Sequence, residues 1–449
     1  MDPESKSAIR IKHRPDPLLG GAFYFLLIIL FSVFSAIFEI LPYIRVLRPV
    51  LLLGSIGLLV VFGTGQFMRV LRTPIGMYIT AFTVWFICCI PFGLWPGGSF
   101  KVFNDMWYKA VLVFLLTAGL LTTLPQAKRL FFTIAYAVGL VAVIGVLLNR
   151  MNGGRLGLPD TRYANANEFA WTLLVGLAFI GYTYVRGTPI QKGVAVILGL
   201  AVVLALAKTG SREGSLGVLM LLVFVLRHVP RATRIKLIFG LTVVLLLVLI
   251  ALPSQLRARY TTWFGAPELS EYGTLRFKTL GSTESRKILL KDSLIVTAQH
   301  PLLGVGPGNF SVAQDELARA RGENSNWQVT HNSFTGVSSE MGLPGLAIYF
   351  AFLYQIMKAL GSIIRTRQPG PAWTELRVMA TTLRAILVMF FVVACFSSLE
   401  FNTDVPILAG LTVALGFIAQ RQRAIDRART QETVVEPSVE AGLEPVAVG

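Results

Sequence analysis

His331 lies in the stretch THNSFTGVSSEMGLPG, residues 330–345, as a lone histidine among small hydroxyl and amide residues. A neutral imidazole with an ordinary pKa near 6.5 can take the proton of an attacking hydroxyl. Asn332, Ser333 and Ser339 beside it can hydrogen-bond sugar hydroxyls. Glu340 either orients His331 or caps a helix beginning near Gly342. Two arginines elsewhere complement this group. Arg212 occupies the turn TGSRE (209–213), and Arg286 opens the segment GSTESRKILLKDSLIVTAQHP (281–301). A guanidinium stays charged, and its planar fork matches phosphate oxygens, so each arginine can stabilise a departing phosphate. The alternative for either arginine is a structural or lipid-headgroup role. His300 directly precedes Pro301 at a helix end, where capping the last carbonyls suffices as its role. The chemistry these residue types suit is transfer of a phosphate-activated group to a hydroxyl.

The elements that must position them are membrane helices. Hydrophobic residues make up 54% of the chain and charged residues 14%, with a mean hydropathy of +0.64. The apolar residues fall in runs of about 20, enough to cross a hydrocarbon layer of about 30 Å. In lipid such runs must be helices, because every backbone polar group has to be satisfied internally. The expectation is an all-α polytopic membrane protein of about 12 spans, near 19–40, 48–67, 74–93, 108–124, 130–148, 168–185, 191–208, 214–227, 236–253, 342–360, 379–398 and 404–420. The predicted organisation is an N-terminal segment 1–18, helices over 19–253, a large loop 254–341, further helices over 342–420 and a disordered tail 421–449. The net charge of +17 does not indicate nucleic-acid binding, because most basic residues lie in short loops between apolar runs. Cys88, Cys89 and Cys395 fall inside predicted spans and suit packing. Before the first span, MDPESKSAIRIKHRPDP is a polar, basic lead-in without the features of a cleavable signal.

Lysine and arginine bias sets the orientation. One assignment puts Arg69, Arg72, Lys128, Arg129, Arg186, Lys192, Arg365, Arg367, Arg377 and the arginines after 420 on the cytoplasmic side, with both termini inside. The opposite face then carries Arg150, Arg155, Arg162, Arg212, Arg257, Arg259, Arg276 and Arg286 against the usual bias, which points to a fixed anionic partner. The segment 281–301 reads as a helix in the large loop, with Ile288, Leu289, Ile295 and Val296 favouring one side, so that it packs on the bundle or lies at the membrane interface. GVGPGNF follows it. No strand precedes Gly304, Gly306 and Gly308 and no GK[ST] follows, so they form either a tight turn or a backbone nest for an anion, not a nucleotide loop. No DxD, HExxH or clustered His/Cys/Asp set points to a metal. Outside the cell a transferase needs a donor already activated and membrane-anchored. A polyisoprenyl pyrophosphate-linked glycan meets that need, with arginines to stabilise its leaving group.

Four motifs in order, from Arg155 to Phe350, resemble the O-antigen ligase (WaaL-type) and polymerase superfamily of bacterial membrane glycosyltransferases. They are GRLGLPDTRYANANEFA, SREGS, SRKILLKDSLIVTAQHPLLGVGPGNF and THNSFTGVSSEMGLPG. The resemblance implies a metal-independent, cofactor-free inverting glycosyltransferase of the inner membrane. It would move a glycan from undecaprenyl pyrophosphate to lipid A–core, or to a growing glycan, at a periplasmic site. By position His331 matches the family's catalytic histidine, and Arg212 and Arg286 its pyrophosphate-binding arginines, with Arg155, Asn167, Asn332 and Glu340 expected at the substrate. Glu213 departs from the glycine common there, and a carboxylate beside Arg212 weakens its pull on phosphate. A polymerase or a protein O-oligosaccharyltransferase would use the same donor. A transporter would instead place ionisable residues and broken helices at mid-depth, where these spans carry few charges.

Overall fold

The computed structural model describes residues 17–435, apart from 42, 44–47, 149–150, 153, 252, 255, 258–281, 324 and 326. Arg150, Arg259 and Arg276 lie outside the described residues. In chain order the helices are α1 (Pro17–Ser35), α2 (Ile37–Ile40), α3 (Pro49–Gly63), α4 (Gln66–Leu71), α5 (Pro74–Cys89), α6 (Pro96–Val102), α7 (Tyr108–Leu120), α8 (Leu124–Leu148), α9 (Ala166–Arg186), α10 (Pro189–Thr209), α11 (Arg212–His228), α12 (Arg231–Ala251), α13 (Ser282–Gln299), α14 (Phe310–Ala320), α15 (Ser333–Arg365), α16 (Pro371–Val393) and α17 (Asp404–Val435). Among the described residues the β-structure is one short hairpin, Met151–Asn152 paired with Arg155–Leu156. The protein is an all-α, multi-pass membrane protein. A helix occupies each expected interval, and eight helices are long and apolar enough on their own to cross a bilayer.

Several boundaries differ from expectation, three of them with consequences for the site or the tail. α15 starts at Ser333, not near 342, because the side chain of Asn332 accepts hydrogen bonds from the Phe334 and Thr335 N–H groups and caps it. It then kinks at Gly342 (φ 71°), with Pro344 just beyond. α16 ends at Val393, which leaves Cys395 in a turn instead of a span. α17 continues to Val435, well past 420, so the first part of the predicted tail is helical.

Two helices mark the extremes of burial. The apolar window of α10 has a hydropathy of 2.2 and is 22% buried, whereas that of α17 has 1.2 and is 78% buried. Lipid-facing helices need apolar surface all round, while central helices can carry polar contacts to their neighbours. Close helix approach uses small residues. A Cβ on Gly176 of α9 would lie 2.1 Å from a methyl carbon of Val138 on α8, and one on Gly217 of α11 would lie 2.3 Å from Leu174 on α9.

The two predicted sets of loops gather at opposite ends of the bundle. At one end Arg186 bonds Glu375 at 2.8 Å, Arg423 reaches Thr366 at 3.2 Å and Arg69 stacks over Phe417 at 4.0 Å. At the other, Arg162 reaches the Val33 carbonyl at 3.2 Å and the Thr403 hydroxyl at 3.0 Å, and its backbone N–H donates to Glu39 at 2.6 Å. The hydrogen bonds of the Arg162 guanidinium are thus met by a carbonyl and a hydroxyl of the chain itself.

The end bearing Arg162 also holds a backbone clasp. Val305 N–H donates to Ser339 O (2.9 Å), Gly306 N–H to Glu340 O (2.9 Å) and Leu343 N–H to Pro301 O (2.8 Å). Gly304 has φ +67°, and a Cβ there would meet the Glu340 carbonyl carbon at 2.2 Å. Positive φ and a backbone neighbour together exclude any side chain. Gly304→Ala is expected to destabilise the protein by about 1–3 kcal/mol, read as a lowered Tm in detergent. Gly20→Ala, with nothing within 4 Å of the new methyl, should leave Tm unchanged.

Candidate active site

Four separate chain segments converge on one cavity of about 450 Å³. Its walls include Arg212 and Glu213 from the start of α11, Arg286 and Lys287 from α13, Thr330–Asn332 before α15, and Cys395 with Phe396 after α16. Each residue owes its place to local structure. Gly210 (φ 57°) ends α10 in the left-handed conformation, and the Ser211 side chain accepts from Gly214 N–H to start α11. The chain therefore reverses in one tight turn, with Arg212 at the first position of the new helix. Arg155 braces this turn from outside the cavity. Its Nε donates to Thr209 O at 2.8 Å and its guanidinium also reaches Asn167 Oδ1. Arg155 and Asn167 are thus brought together behind the turn and do not line the cavity.

α13 is held by its buried side. Asp292 pairs with Arg321 at 2.5 Å, and Thr297 shares a hydrogen bond with Ser338 of α15 at 2.8 Å. Leu289 and Val296 are buried, as expected of the packing side, while Ile288 and Ile295 are only half-buried. Arg286 thereby faces α11 and lies 3.6 Å from Glu213. That separation is an ion pair without a hydrogen bond of normal length. Glu213 is 2% exposed and is the one carboxylate among the residues lining this cavity, set against Arg212, Arg286 and Lys287. The net field in the cavity favours an anion.

His331 has φ 50°, a left-handed backbone that costs a non-glycine residue of order 1–3 kcal/mol. A ladder of hydroxyls and backbone groups holds it there. His331 N–H donates to Ser398 Oγ at 3.1 Å, the Thr330 and Ser398 hydroxyls are 3.1 Å apart, and Ser333 Oγ donates to Ser397 O at 2.7 Å. The connector between α16 and α17 therefore fixes the histidine as well as lining its cavity. Burial, and secondly the charge of Arg286, push the His331 pKa down to about 4. The imidazole is neutral at pH 7 and available as a base.

Asn332 lines the cavity, but its Oδ1 is engaged in capping α15. Glu340 lies elsewhere: its carboxylate accepts from Gly308 N–H at 2.8 Å and Phe310 N–H at 3.3 Å. The N–H groups that close the glycine loop and open the next helix are thus met by the protein's own Glu340. Among the described residues no three His, Cys, Asp or Glu side chains are placed to hold a metal ion.

Residues 193–350 match the Wzy_C family model, described as O-antigen ligase. Over this stretch, about a third of the chain, the protein is similar to the O-antigen ligase family. No curated protein matches it. The match supports an enzyme role of the O-antigen ligase or polymerase type, and lipid-linked glycans as its substrate class. The matched stretch contains Arg212, Arg286 and His331, whereas Arg155, Asn167, Cys395, Phe396 and Ser398 lie outside it. Cys395 and Phe396 were hidden in the sequence by an apolar run that reads through to 398. The hydroxyl-rich FSSLEFN was the signal that the helix stops early.

Because the folded pKa is lowered, His331 keeps its neutral form as pH falls from 7 and gains a proton only near pH 4. Histidine-labelled NMR should show this resonance titrating near pH 4. In Arg286→Gln the midpoint should move part of the way back towards 6.5, burial remaining as the larger cause. A midpoint near 6.5 in the parental protein would contradict the geometry.

Proposed function

We propose that this protein is an O-antigen ligase of the bacterial inner membrane, with both termini cytoplasmic and the cavity open to the periplasm. Its donor is a glycan on undecaprenyl pyrophosphate and its acceptor a hydroxyl of lipid A–core. The observation that carries the reading is the meeting of Arg212, Arg286 and His331 around one cavity. The match of residues 193–350 to the O-antigen ligase model supports it independently.

The reaction is a single displacement at the anomeric carbon. The donor's diphosphate sits against Arg212 and Arg286, and Glu213 keeps Arg286 turned into the cavity. His331 takes the acceptor hydroxyl's proton as the oxygen attacks. The new glycosidic C–O bond forms while the bond from the anomeric carbon to phosphate oxygen breaks, on the opposite face, so configuration inverts. The electron pair leaves with undecaprenyl pyrophosphate, whose growing charge the guanidinium groups stabilise more strongly than the donor's ground state. His331 then loses its proton to solvent. The anion also offsets the field of Arg286 at the imidazole, which raises the pKa of His331 and makes it a stronger base once the donor is bound.

Purified protein in proteoliposomes, supplied with lipid-linked glycan, tests this. His331→Ala should lower transfer to lipid A–core by about 10²–10⁴-fold, and Arg212→Ala should also be severely impaired, each with a near-parental Tm. Parental transfer by His331→Ala would remove the histidine from its role. Consumption of a second lipid-linked glycan in place of lipid A–core would identify a polymerase.

A further inference from the structure

We infer that the outward face of α13 binds the lipid moiety of the acceptor, an acylated lipid bearing phosphate; this rests on the glycan-transfer reading above. α13 presents two opposite faces. Leu289, Asp292, Ser293, Val296 and Thr297 are buried against the rest of the protein. The other side carries Lys287, Leu290, Lys291, Leu294 and Ala298, which with Ile295 line a groove of about 460 Å³.

The composition of the groove specifies its occupant. Leu290 is 40% and Leu294 54% exposed, on a helix outside the membrane-crossing set. Exposed leucines forgo the burial that stabilises such a helix, and a hydrocarbon chain laid along them restores it. From Lys287 to Ala298 the helix extends about 16 Å, room for much of an acyl chain. Lys287 and Lys291 stand four residues apart on this face, and Lys291 gives it a positive charge suited to a phosphate. Asp292, next in sequence, is committed to Arg321 on the buried side.

Position separates the acceptor from the donor. The groove shares Lys287 and Leu290 with the cavity of Arg212, Arg286 and His331, so the two are continuous. In the transfer reading the donor's diphosphate occupies the two arginines. Lys291 lies one helical turn, about 6 Å, beyond Lys287 and serves a second anionic group on a second lipid. An acceptor anchored there would direct its sugar hydroxyls towards His331.

Full-length Lys291→Gln and Leu294→Gln, in residues that line the groove and not the cavity, test the assignment. Each should raise KM for lipid A–core about tenfold, the scale of one lost charged or apolar contact of about 1.4 kcal/mol, while kcat and the donor KM stay parental. With a delipidated, dephosphorylated core oligosaccharide as acceptor, both variants should match the parent. A raised donor KM would place the donor's chain in the groove instead, and equal effects with both acceptors, or none with either, would also overturn the proposal. Binding of lipid A–core to purified protein without donor should weaken by the same factor. If the parental protein transfers no glycan, the transfer reading fails, and this binding measurement still decides the groove.

Discussion

The site depends on two glycine-containing segments that touch backbone to backbone. Residues 301–308 press against 339–343 so closely that Gly304 and Gly342 each admit only hydrogen at the α-carbon. One partner leads out of α13, which carries Arg286, and the other lies one short helical stretch after His331. Fixing these two stretches together therefore fixes the guanidinium relative to the imidazole. Glu340 completes the clasp, since its carboxylate meets the N–H groups at the start of α14 while its carbonyl accepts from Gly306. A carboxylate at a helix N-terminus gains from the unsatisfied donors and the dipole there. Removing that group would leave buried backbone donors without their acceptor, which makes Glu340 a structural acid beside a catalytic region.

Electrostatic balance in the cavity follows from Glu213. A buried carboxylate is costly unless a cation answers it, and removing one partner of a buried pair leaves an uncompensated charge. Arg286 answers it at 3.6 Å, close enough to fix the arginine's direction and too far for a strong hydrogen bond. Phosphate oxygens can engage the guanidinium fork by two short, charge-assisted bonds, so they prevail over the looser carboxylate contact. The departure from glycine at this position thus does more than weaken Arg212. It orients Arg286 and lowers the electrostatic cost of holding several cations near one another.

Much of this was legible in the chain. Apolar runs and polar breaks marked the helices, and residue chemistry alone selected His331, Arg212 and Arg286, which the fold brings to one cavity. What stayed illegible had physical causes. The clasp is made by main-chain atoms that every residue possesses, so GVGPG could be read as a turn or a nest but not matched to its partner. Glu340 had two readings from its neighbours in sequence, and its actual partners are Gly308 and Phe310, about 30 residues away. α13 was read for the side that packs, and its exposed lysines and leucines drew no attention because surface leucines are ordinary. Arg155 and Asn167, expected at the substrate, bond each other and the Thr209 carbonyl at the turn before Arg212.

The depth of the site accounts for its chemistry. α11 has 17 residues, a length of about 26 Å against a hydrocarbon core of about 30 Å. If its far end reaches the opposite interface, Arg212 and Glu213 at its start lie at or just within the lipid boundary. Lipid-borne phosphates occupy that same level, so under the proposed reaction the donor's diphosphate reaches the arginines without leaving the bilayer. There the effective dielectric is lower than in water, and attraction between guanidinium and phosphate strengthens accordingly. The same surroundings disfavour an imidazolium, which matches the lowered pKa of His331. A site in open water would keep the histidine half-protonated near neutrality and screen the arginines. A site at mid-depth would have to bury the charged donor completely. Placement at the boundary satisfies both demands.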